Sequence, residues 1–261
     1  MKSDDALCRV AVGLLLLAGA CGKGEKASSP PGASTPAAAP AAPAGGGGAT
    51  VTGQVKLVGA AQPNPAIDMG EEPKCKAAYA TTPHEPIVTV NSNGTLADVF
   101  VYVKSGLPAG ATYPAPATPD TIDQRGCLYH PRVFGIMVGQ TLAIKNSDGI
   151  LHNIKAMGKK NRPFNISQPT TMTTERPGFA APEVMLPFEC NVHGWMHAFA
   201  GVLPHPFFST TGGQGGFTIA GLPPGTYTIE AWQEKYGTQD ATVTVQGTET
   251  KTVDFSFTAK P

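Results

Sequence analysis

The sequence carries little charge and no excess of either sign. Its 19 Lys and Arg residues balance 19 Asp and Glu residues, and these four types make up 15% of the 261 residues. Binding to nucleic acid requires an excess of basic residues to neutralise phosphates, so the balance argues against nucleic acid as a partner. After the N-terminal apolar segment there is no second long apolar run, which excludes a polytopic membrane protein.

The sequence also lacks the patterns of long helices and of common catalytic sites. No stretch of ten or more residues shows apolar residues repeating with the period of a helix. There is no Ser-His-Asp set, no pair of catalytic carboxylates and no phosphate-binding glycine loop. We therefore expect a protein without enzymatic activity.

Glycine and proline, in contrast, are abundant. The 31 Gly and 25 Pro residues make up about a fifth of the chain, against about an eighth in average proteins. Residues 22–49 consist of Ala, Pro, Gly, Ser or Thr at 25 of 28 positions, a composition that predicts a disordered tether. The other Gly and Pro residues separate short runs of alternating apolar residues, such as 99–103 and 253–255. Such runs predict many short strands, and hence an all-β fold of the sandwich or barrel class.

The first 21 residues resemble a bacterial lipoprotein signal. Residues 10–20 form an apolar run of eleven residues, which suits a signal sequence and is too short to span a bilayer. The run leads into Ala18-Gly19-Ala20-Cys21, which resembles a lipobox. The resemblance implies that Cys21 is lipidated and anchors the protein to a membrane, in the periplasm or at the cell surface. The alternatives are an ordinary secretory signal or a short anchor.

The C-terminal region resembles the carboxypeptidase regulatory-like, or transthyretin-like, β-sandwich. Residues 216–229 read as a strand, a Pro-Pro-Gly turn and a second strand, which is the order found in that family. Gly53-Gln54-Val55 fits the opening strand of the family, and residues 96–104 fit the next one. We therefore predict a discontinuous sandwich made of residues 50–106 and 203–261, with residues 107–202 forming a second unit.

A candidate metal site lies in that second unit. Residues 190–196 read Cys-x2-His-x2-Met after a predicted strand at 183–189, and His152 follows two predicted strands upstream. One thiolate, two imidazoles and one thioether are the donor set of blue-copper proteins. A zinc site is the alternative, since zinc also binds Cys and His, although Met counts against it. A binuclear copper site normally needs two cysteines in the loop, and this loop has one.

This layout resembles the cupredoxins, including plastocyanin and amicyanin, with the shorter ligand loop of amicyanin. The resemblance implies a Greek-key β-sandwich that holds one type 1 copper. By the same resemblance the copper ligands are His152, Cys190, His193 and Met196, and Asn146 and Asn153 help to hold the ligand loops.

The remaining cysteines suggest a disulfide. Cys8 and Cys21 belong to the proposed signal and Cys190 to the proposed metal site, which leaves Cys75 and Cys127. In an oxidising compartment such a pair predicts a disulfide. The alternative is a second metal site in which these two cysteines join His84 and His130.

Together these features predict an exported blue-copper protein that carries single electrons between periplasmic or membrane-associated partners such as a cytochrome. Four basic residues follow the first ligand: Lys155, Lys159, Lys160 and Arg162. They form either an ordinary solvated loop or a patch that docks an acidic partner. We expect a monomer. The alternative functions are a copper chaperone or storage protein, and a non-catalytic binding module with a vestigial copper site.

Overall fold

The computed structural model describes residues 47–259. The predicted signal, Cys21 and nearly all of the predicted tether lie outside the described residues. Within them are nineteen strands and one five-residue helix, so the prediction of an all-β fold built from two sandwiches is confirmed. No helix in this part of the chain is both long enough and apolar enough to cross a membrane.

The elements follow one another at short intervals, as the frequent turn residues predict. The first half contains β1 (Ala49–Val58), α1 (Pro73–Ala77), β2 (Thr89–Val90), β3 (Leu96–Ala97), β4 (Phe100–Ser105), β5 (Asp120–Arg125), β6 (Leu128–His130), β7 (Val133–Met137), β8 (Leu142–Asn146) and β9 (His152–Ala156). The second half contains β10 (Phe164–Gln168), β11 (Met172–Arg176), β12 (Glu183–Glu189), β13 (His197–Leu203), β14 (Phe208–Thr210), β15 (Gly216–Leu222), β16 (Gly225–Gln233), β17 (Gly237–Val245), β18 (Thr250–Thr252) and β19 (Phe255–Thr258).

Strands β5–β13 form the inserted sandwich. One sheet has the order β10-β9-β12-β13-β7 and the other the order β11-β8-β5-β6. Alternate residues of the strands point inward, so that Ile122, Ile144, Ile154, Leu186 and Phe188 pack in one core. These side chains are at most 1% exposed, and their burial is the main source of stability for this unit.

The flanking sandwich is made from both ends of the described chain. Its sheets have the orders β14-β4-β16-β17 and β15-β1-β18, and β19 also pairs with β1. Strand β1 pairs with β15 and β4 pairs with β16, so strands on either side of the inserted sandwich share each sheet. Val51, Val101, Phe217, Ile229 and Phe255 belong to its core. The exact domain boundaries stay a prediction, with β1 beginning at Ala49 in the predicted tether.

The segment between β1 and β2 packs on the inserted sandwich, although the predicted boundaries place it in the flanking one. Ile67, Met69 and Cys75 contribute to the core of the inserted sandwich. A disulfide joins Cys75, in α1, to Cys127, between β5 and β6, with the Cα atoms 5.6 Å apart. The predicted pairing of these two cysteines is therefore the one that the structure contains, and it fastens the segment to the inserted sandwich.

The two sandwiches share an apolar interface that explains why β4 is buried on both faces. Val101 and Val103 face the core of the flanking sandwich, whereas Phe100 and Tyr102 pack against residues of β7 and β13. Gly135 and Gly201 are partners on adjacent strands, and a Cβ at Gly201 would overlap the ring of Phe100. Because the two glycines have no side chains, they provide a flat surface against which the Phe100 ring packs.

His205 makes the stability of the fold depend on pH. Burial, at 6% exposure, lowers the pKa of His205 to about 4, whereas an unfolded histidine titrates near 6.5. Protonation therefore favours the unfolded state. The stabilisation is complete above about pH 6.5 and is lost as the pH falls toward 4, by up to about 3 kcal/mol.

Urea unfolding of the wild type and of His205→Phe at pH 7.5 and pH 4.5 measures this effect. The phenylalanine variant cannot be protonated, so we expect it to gain up to about 3 kcal/mol relative to the wild type at the lower pH. Groups that titrate in both proteins cancel in this difference. A difference that does not change with pH would show that the neutral form of His205 is not favoured by folding.

Candidate metal centre

Two loops meet at one end of the inserted sandwich. Strand β8 ends at Asn146 and β9 begins at His152, while β12 ends at Glu189 and β13 begins at His197. Strands β9 and β12 pair antiparallel, with Lys155 opposite Glu189. The start of β9 and the end of β12 therefore lie at the same end of the sheet, which brings the loops 147–151 and 190–196 together.

Three of the predicted ligands face one another in this place. The Nδ1 atoms of His152 and His193 are 2.9 Å apart, and Cys190 Sγ lies 3.9 Å from His193 Nδ1. One donor atom of each residue lies within 4.8 Å of the other two. All three side chains are buried: His152 is 0% exposed, His193 is 1% exposed and Cys190 is 5% exposed. Three such polar groups are not normally buried together in a protein unless a bound ligand or a shared proton compensates for their loss of solvation.

Met196, the fourth predicted ligand, belongs to the same loop and is fully buried. Its carbonyl oxygen accepts a hydrogen bond from the Cys190 N–H at 3.2 Å, and its own N–H donates to the His193 carbonyl at 3.0 Å. These two bonds close the loop from Cys190 to Met196 on itself. Met196 belongs to the core of the inserted sandwich.

The surroundings of Cys190 favour a thiolate. Burial by itself raises its pKa, but hydrogen bonds from His152, His193 and Asn153 outweigh burial and lower the pKa to about 5. The thiol is therefore largely ionised at neutral pH. A thiolate is the form that binds metals. Cys190 is also the free cysteine among the described residues.

Asp148 fixes the orientation of His152 and was not among the predicted site residues. Its Oδ2 atom lies 2.8 Å from His152 Nε2 and also accepts the Cys127 N–H at 2.8 Å. Burial opposes ionisation of Asp148, but the bond to His152 and the two backbone N–H bonds lower its pKa below the usual range. A carboxylate at Nε2 favours a proton on that nitrogen and leaves Nδ1 as the nitrogen that can bind a metal. The sequence signal is the position of Asp148 four residues before His152.

The two asparagines predicted to steady the loops make contacts within them. Asn146 donates to the Ile150 carbonyl at 2.8 Å, and its oxygen accepts the Asp148 N–H at 3.0 Å. The Asn153 oxygen accepts the Asn191 N–H at 2.6 Å and lies 3.4 Å from Cys190 Sγ. Asn146 thus shapes the loop before His152, and Asn153 connects β9 to the loop that carries Cys190.

The far side of His193 is covered by residues distant in the sequence. Cys75 Sγ is 3.9 Å from His193 Nε2, and Glu72 Oε1 is 3.8 Å from the same atom. The ring of Trp195 lies 5.2 Å from that of His193, and its N–H donates to the Cys127 carbonyl at 2.9 Å. No sequence pattern relates Glu72 or the disulfide to His193, because only the folding of the segment before β2 brings them there.

The alternative metal site from the sequence finds no support in this arrangement, and the four basic residues after His152 do not all lie at the metal centre. His84 Nδ1 lies 2.8 Å from the Asn64 carbonyl and His130 Nε2 lies 3.1 Å from the Arg125 carbonyl, so neither histidine joins the disulfide cysteines in a metal site. The backbone N–H groups of Lys159 and Lys160 bind Glu183, at the opposite end of β12 from Cys190. Lys159 and Lys160 therefore lie away from the metal centre, whereas Lys155 lies 3.7 Å from Glu189, the residue before Cys190.

One protein-family model matches part of the flanking sandwich. Residues 205–258 match the family model of the carboxypeptidase regulatory-like domain, which confirms the resemblance predicted for the C-terminal part of the flanking sandwich. No curated protein sequence matches the chain.

Several solved structures are similar to part of the chain. They include a Cu-containing nitrite reductase from Thermus scotoductus SA-01, at 21% identity over 38% of this chain and 25% of that chain, with a TM-score of 0.31. A purple cupredoxin from Nitrosopumilus maritimus shows 23% identity over 31% of this chain and 97% of that chain, with a TM-score of 0.27. A reduced amicyanin variant shows 14% identity over 39% of this chain and 97% of that chain, with a TM-score of 0.29. The chain thus spans a quarter of the length of the nitrite reductase.

Proposed function

We propose that the inserted sandwich binds one type 1 copper ion and that the protein carries single electrons between partners without catalysing a reaction. The observation that carries the proposal is the buried set of Cys190 with His152 and His193, whose Nδ1 atoms face each other at 2.9 Å. A thiolate and two imidazoles, with the thioether of Met196 in the same loop, fit the donor set of a blue-copper site. When bound, copper would supply a one-electron Cu(II)/Cu(I) couple.

The residues of the chain prepare this site before any metal arrives. The lowered pKa of Cys190, about 5, supplies a thiolate at neutral pH without the need for a separate base. Asp148 contacts His152 Nε2, which leaves Nδ1, 2.9 Å from His193 Nδ1, as the nitrogen that would bind copper. Asn153 fixes the Cys190 loop from the other side. Preformed ligands reorganise little when the charge of the site changes, which favours rapid electron transfer.

A thiolate and a thioether favour Cu(I), whereas imidazoles are suitable for both oxidation states, so the mixed set suits a metal that cycles between them. A zinc site would not need Met196. The burial of all four side chains keeps water from the metal, which favours outer-sphere transfer over substrate binding.

The proposal extends to location and partners. Export and lipid anchoring at Cys21 rest on the N-terminal sequence, and a flexible tether would let the protein reach partners near a membrane. Two exposed apolar side chains directly precede the histidine ligands: Leu151 is 46% exposed and Val192 is 42% exposed. An apolar surface beside the site suits transient docking of a redox protein such as a cytochrome better than the distant lysines do.

Titration of the metal-free protein with Cu(II) tests the proposed function. We expect one equivalent to bind and to produce an intense visible band from thiolate-to-copper charge transfer, together with a reversible couple in voltammetry. As a matched control, His197→Gln changes the histidine next to Met196 and is expected to retain both signals. A colourless protein that binds one zinc ion would contradict the proposal. Copper that is handed to a partner without a stable couple would instead favour a chaperone or storage protein.

Replacing Asp148 is expected to weaken copper binding without removing a ligand. In Asp148→Asn the hydrogen bond to His152 loses its charge, and the two backbone N–H groups that Asp148 accepts lose their anionic partner. Loss of such an outer partner typically lowers metal affinity by about 10- to 100-fold. Competition with a chelator of known affinity measures the change. Asp123→Asn is the control, because Asp123 binds Ser147 and Lys145 instead of a histidine; equal losses in both variants would contradict the role of Asp148.

A further inference from the structure

The disulfide lies directly against the candidate metal centre. Cys75 Sγ is 3.9 Å from His193 Nε2, and the Cys127 N–H donates to the same Asp148 oxygen that contacts His152 Nε2. Both cysteines are buried, at 0% and 1% exposure. The bridge therefore forms part of the wall on the side of the imidazoles that faces away from Cys190.

Carboxylates lie beside both sulfur atoms. Donor atoms of Glu72, Cys75 and His193 are all within 4.8 Å of one another, and so are donor atoms of Cys127, Asp148 and His152. In each group the cysteine is a half of the disulfide, and a sulfur bonded to sulfur is not a good metal ligand. Thiolates are strong ligands for zinc-like cations. Reduction of the bridge would thus convert the two sulfur atoms, which do not bind a metal while they are bonded to each other, into thiolate ligands.

We propose that reduction of the Cys75–Cys127 bridge creates a second metal site, in which the two thiolates and the Glu72 carboxylate bind a zinc-class divalent cation. Two sulfur ligands of one tetrahedral zinc lie about 3.8 Å apart, from a Zn–S distance of about 2.3 Å. The 5.6 Å between the Cα atoms lets both side chains reach one ion. The fourth position goes to water. This site is separate from the donor set of Cys190 and does not require copper there.

The reduction requires a dithiol as the co-reactant. One thiolate of the dithiol attacks a sulfur of the bridge, and its second thiol then displaces the mixed disulfide. The protein disulfide breaks, a disulfide forms in the dithiol, and two electrons and two protons pass to Cys75 and Cys127. Binding of the cation then releases the two thiol protons. The Glu72 side chain is 40% exposed, so it connects the buried sulfur atoms to solvent and marks the entry of the cation.

The contacts around α1 favour retention of the fold after reduction. Tyr79, two residues after α1, donates a hydrogen bond to the carbonyl of Gly126, the residue before Cys127, at 2.6 Å. Ile67 and Met69 remain packed in the core of the inserted sandwich. These contacts hold the two chain segments together independently of the sulfur–sulfur bond.

Zinc titration of the full chain in competition with a chromophoric chelator tests the proposal. The Cys190→Ser variant removes the thiolate of the first site and makes the count unambiguous. We expect its oxidised form to bind no zinc tightly and its reduced form, prepared with a dithiol and freed of it, to bind one equivalent. Adding Glu72→Gln should weaken that binding by more than about tenfold, because it removes a ligand and not merely an outer partner, and adding Cys75→Ser with Cys127→Ser should abolish it.

Thermal unfolding distinguishes zinc binding by the folded protein from zinc binding by the thiols of unfolded protein. A site in the folded state makes zinc raise the midpoint of the reduced Cys190→Ser protein, in proportion to the logarithm of zinc concentration. The proposal is overturned if the reduced protein binds no zinc, if zinc leaves or lowers the midpoint, or if the variant without Cys75 and Cys127 binds equally well. The visible band of the oxidised, copper-loaded wild type tests the copper site separately. A failure of the copper proposal can therefore be distinguished from a failure of the zinc proposal.

Discussion

Cys190→Ser is expected to abolish the visible charge-transfer band of the copper-loaded protein. The band requires a thiolate bonded to copper, and Cys190 supplies the thiol that faces both His152 and His193. A serine hydroxyl does not ionise at neutral pH, whereas hydrogen bonds lower the pKa of the Cys190 thiol to about 5. The variant also loses the soft ligand that stabilises Cu(I). Its copper affinity should therefore fall by more than the 10- to 100-fold that loss of an outer partner costs.

Visible absorption and chelator competition on the same samples measure both effects. Val192→Ser is a matched control, because Val192 lies in the same loop and its side chain is exposed. That variant is expected to keep the band and the affinity of the wild type. Retention of the band in Cys190→Ser would show that another residue supplies the thiolate, and the assignment of the ligand loop would be wrong.

Glu234→Ala is expected to destabilise the protein by about 3 kcal/mol. Arg132, before β7 in the inserted sandwich, makes two 2.8 Å hydrogen bonds to the Glu234 carboxylate, which follows β16 in the flanking sandwich. The Arg132 side chain is 5% exposed and that of Glu234 is 19% exposed. Removing one member of a buried pair leaves the other charge without compensation, at a typical cost of about 3–5 kcal/mol.

The lower end of that range applies here for two reasons. Glu234 is partly solvated, and Arg132 retains its bond to the His197 carbonyl at 3.3 Å. Asp98 is a second acidic group near the pair: burial raises its pKa to about 6, with Arg132 acting in the opposite direction. Ionised Asp98 can partly replace Glu234 as a partner of the guanidinium at neutral pH.

Urea unfolding at pH 7 measures the loss of stability. Glu249→Ala is the control, because the pair that Glu249 makes with Lys251 lies at the surface, where such pairs contribute about 0–1 kcal/mol. The double variant Arg132→Met with Glu234→Leu should recover most of the stability, since no buried charge remains unpaired. If Glu234→Ala is no more destabilising than Glu249→Ala, the pair does not hold the two sandwiches together.

The parts of the site that are close in sequence were predictable. Cys190, His193 and Met196 lie within seven residues on one loop, and a loop that short keeps its ligands together in any fold that closes it. The alternation of apolar residues likewise predicts strands, because successive side chains in a strand point to opposite faces. The predicted strand at residues 183–189 coincides with β12. Asp148, four residues before His152, had a signal in its spacing, but a loop has no regular period that would identify the contact.

The lysines after His152 show how sequence proximity misleads in a strand. Strand β9 carries the chain away from the metal centre at about 3.3 Å per residue, so Lys159 and Lys160 reach Glu183 at the far end of the sheet. Glu72 shows the converse, since it is distant in sequence and yet lies 3.8 Å from His193 Nε2.

The sequence by itself determined the all-β class and the short spacing of the ligand loop, and it left two cysteines over as a candidate disulfide, because each of these depends on local spacing, on residue type or on a count. The structure decided that Cys75 and Cys127 are bridged and do not form a second metal site with His84 and His130. Only the tertiary structure decided that the segment with α1 packs on the inserted sandwich, that Asp148 binds His152, and that the disulfide lies against His193. These contacts arise from the way in which whole sheets and segments bury their apolar faces, and that packing is not encoded in the spacing of any few residues.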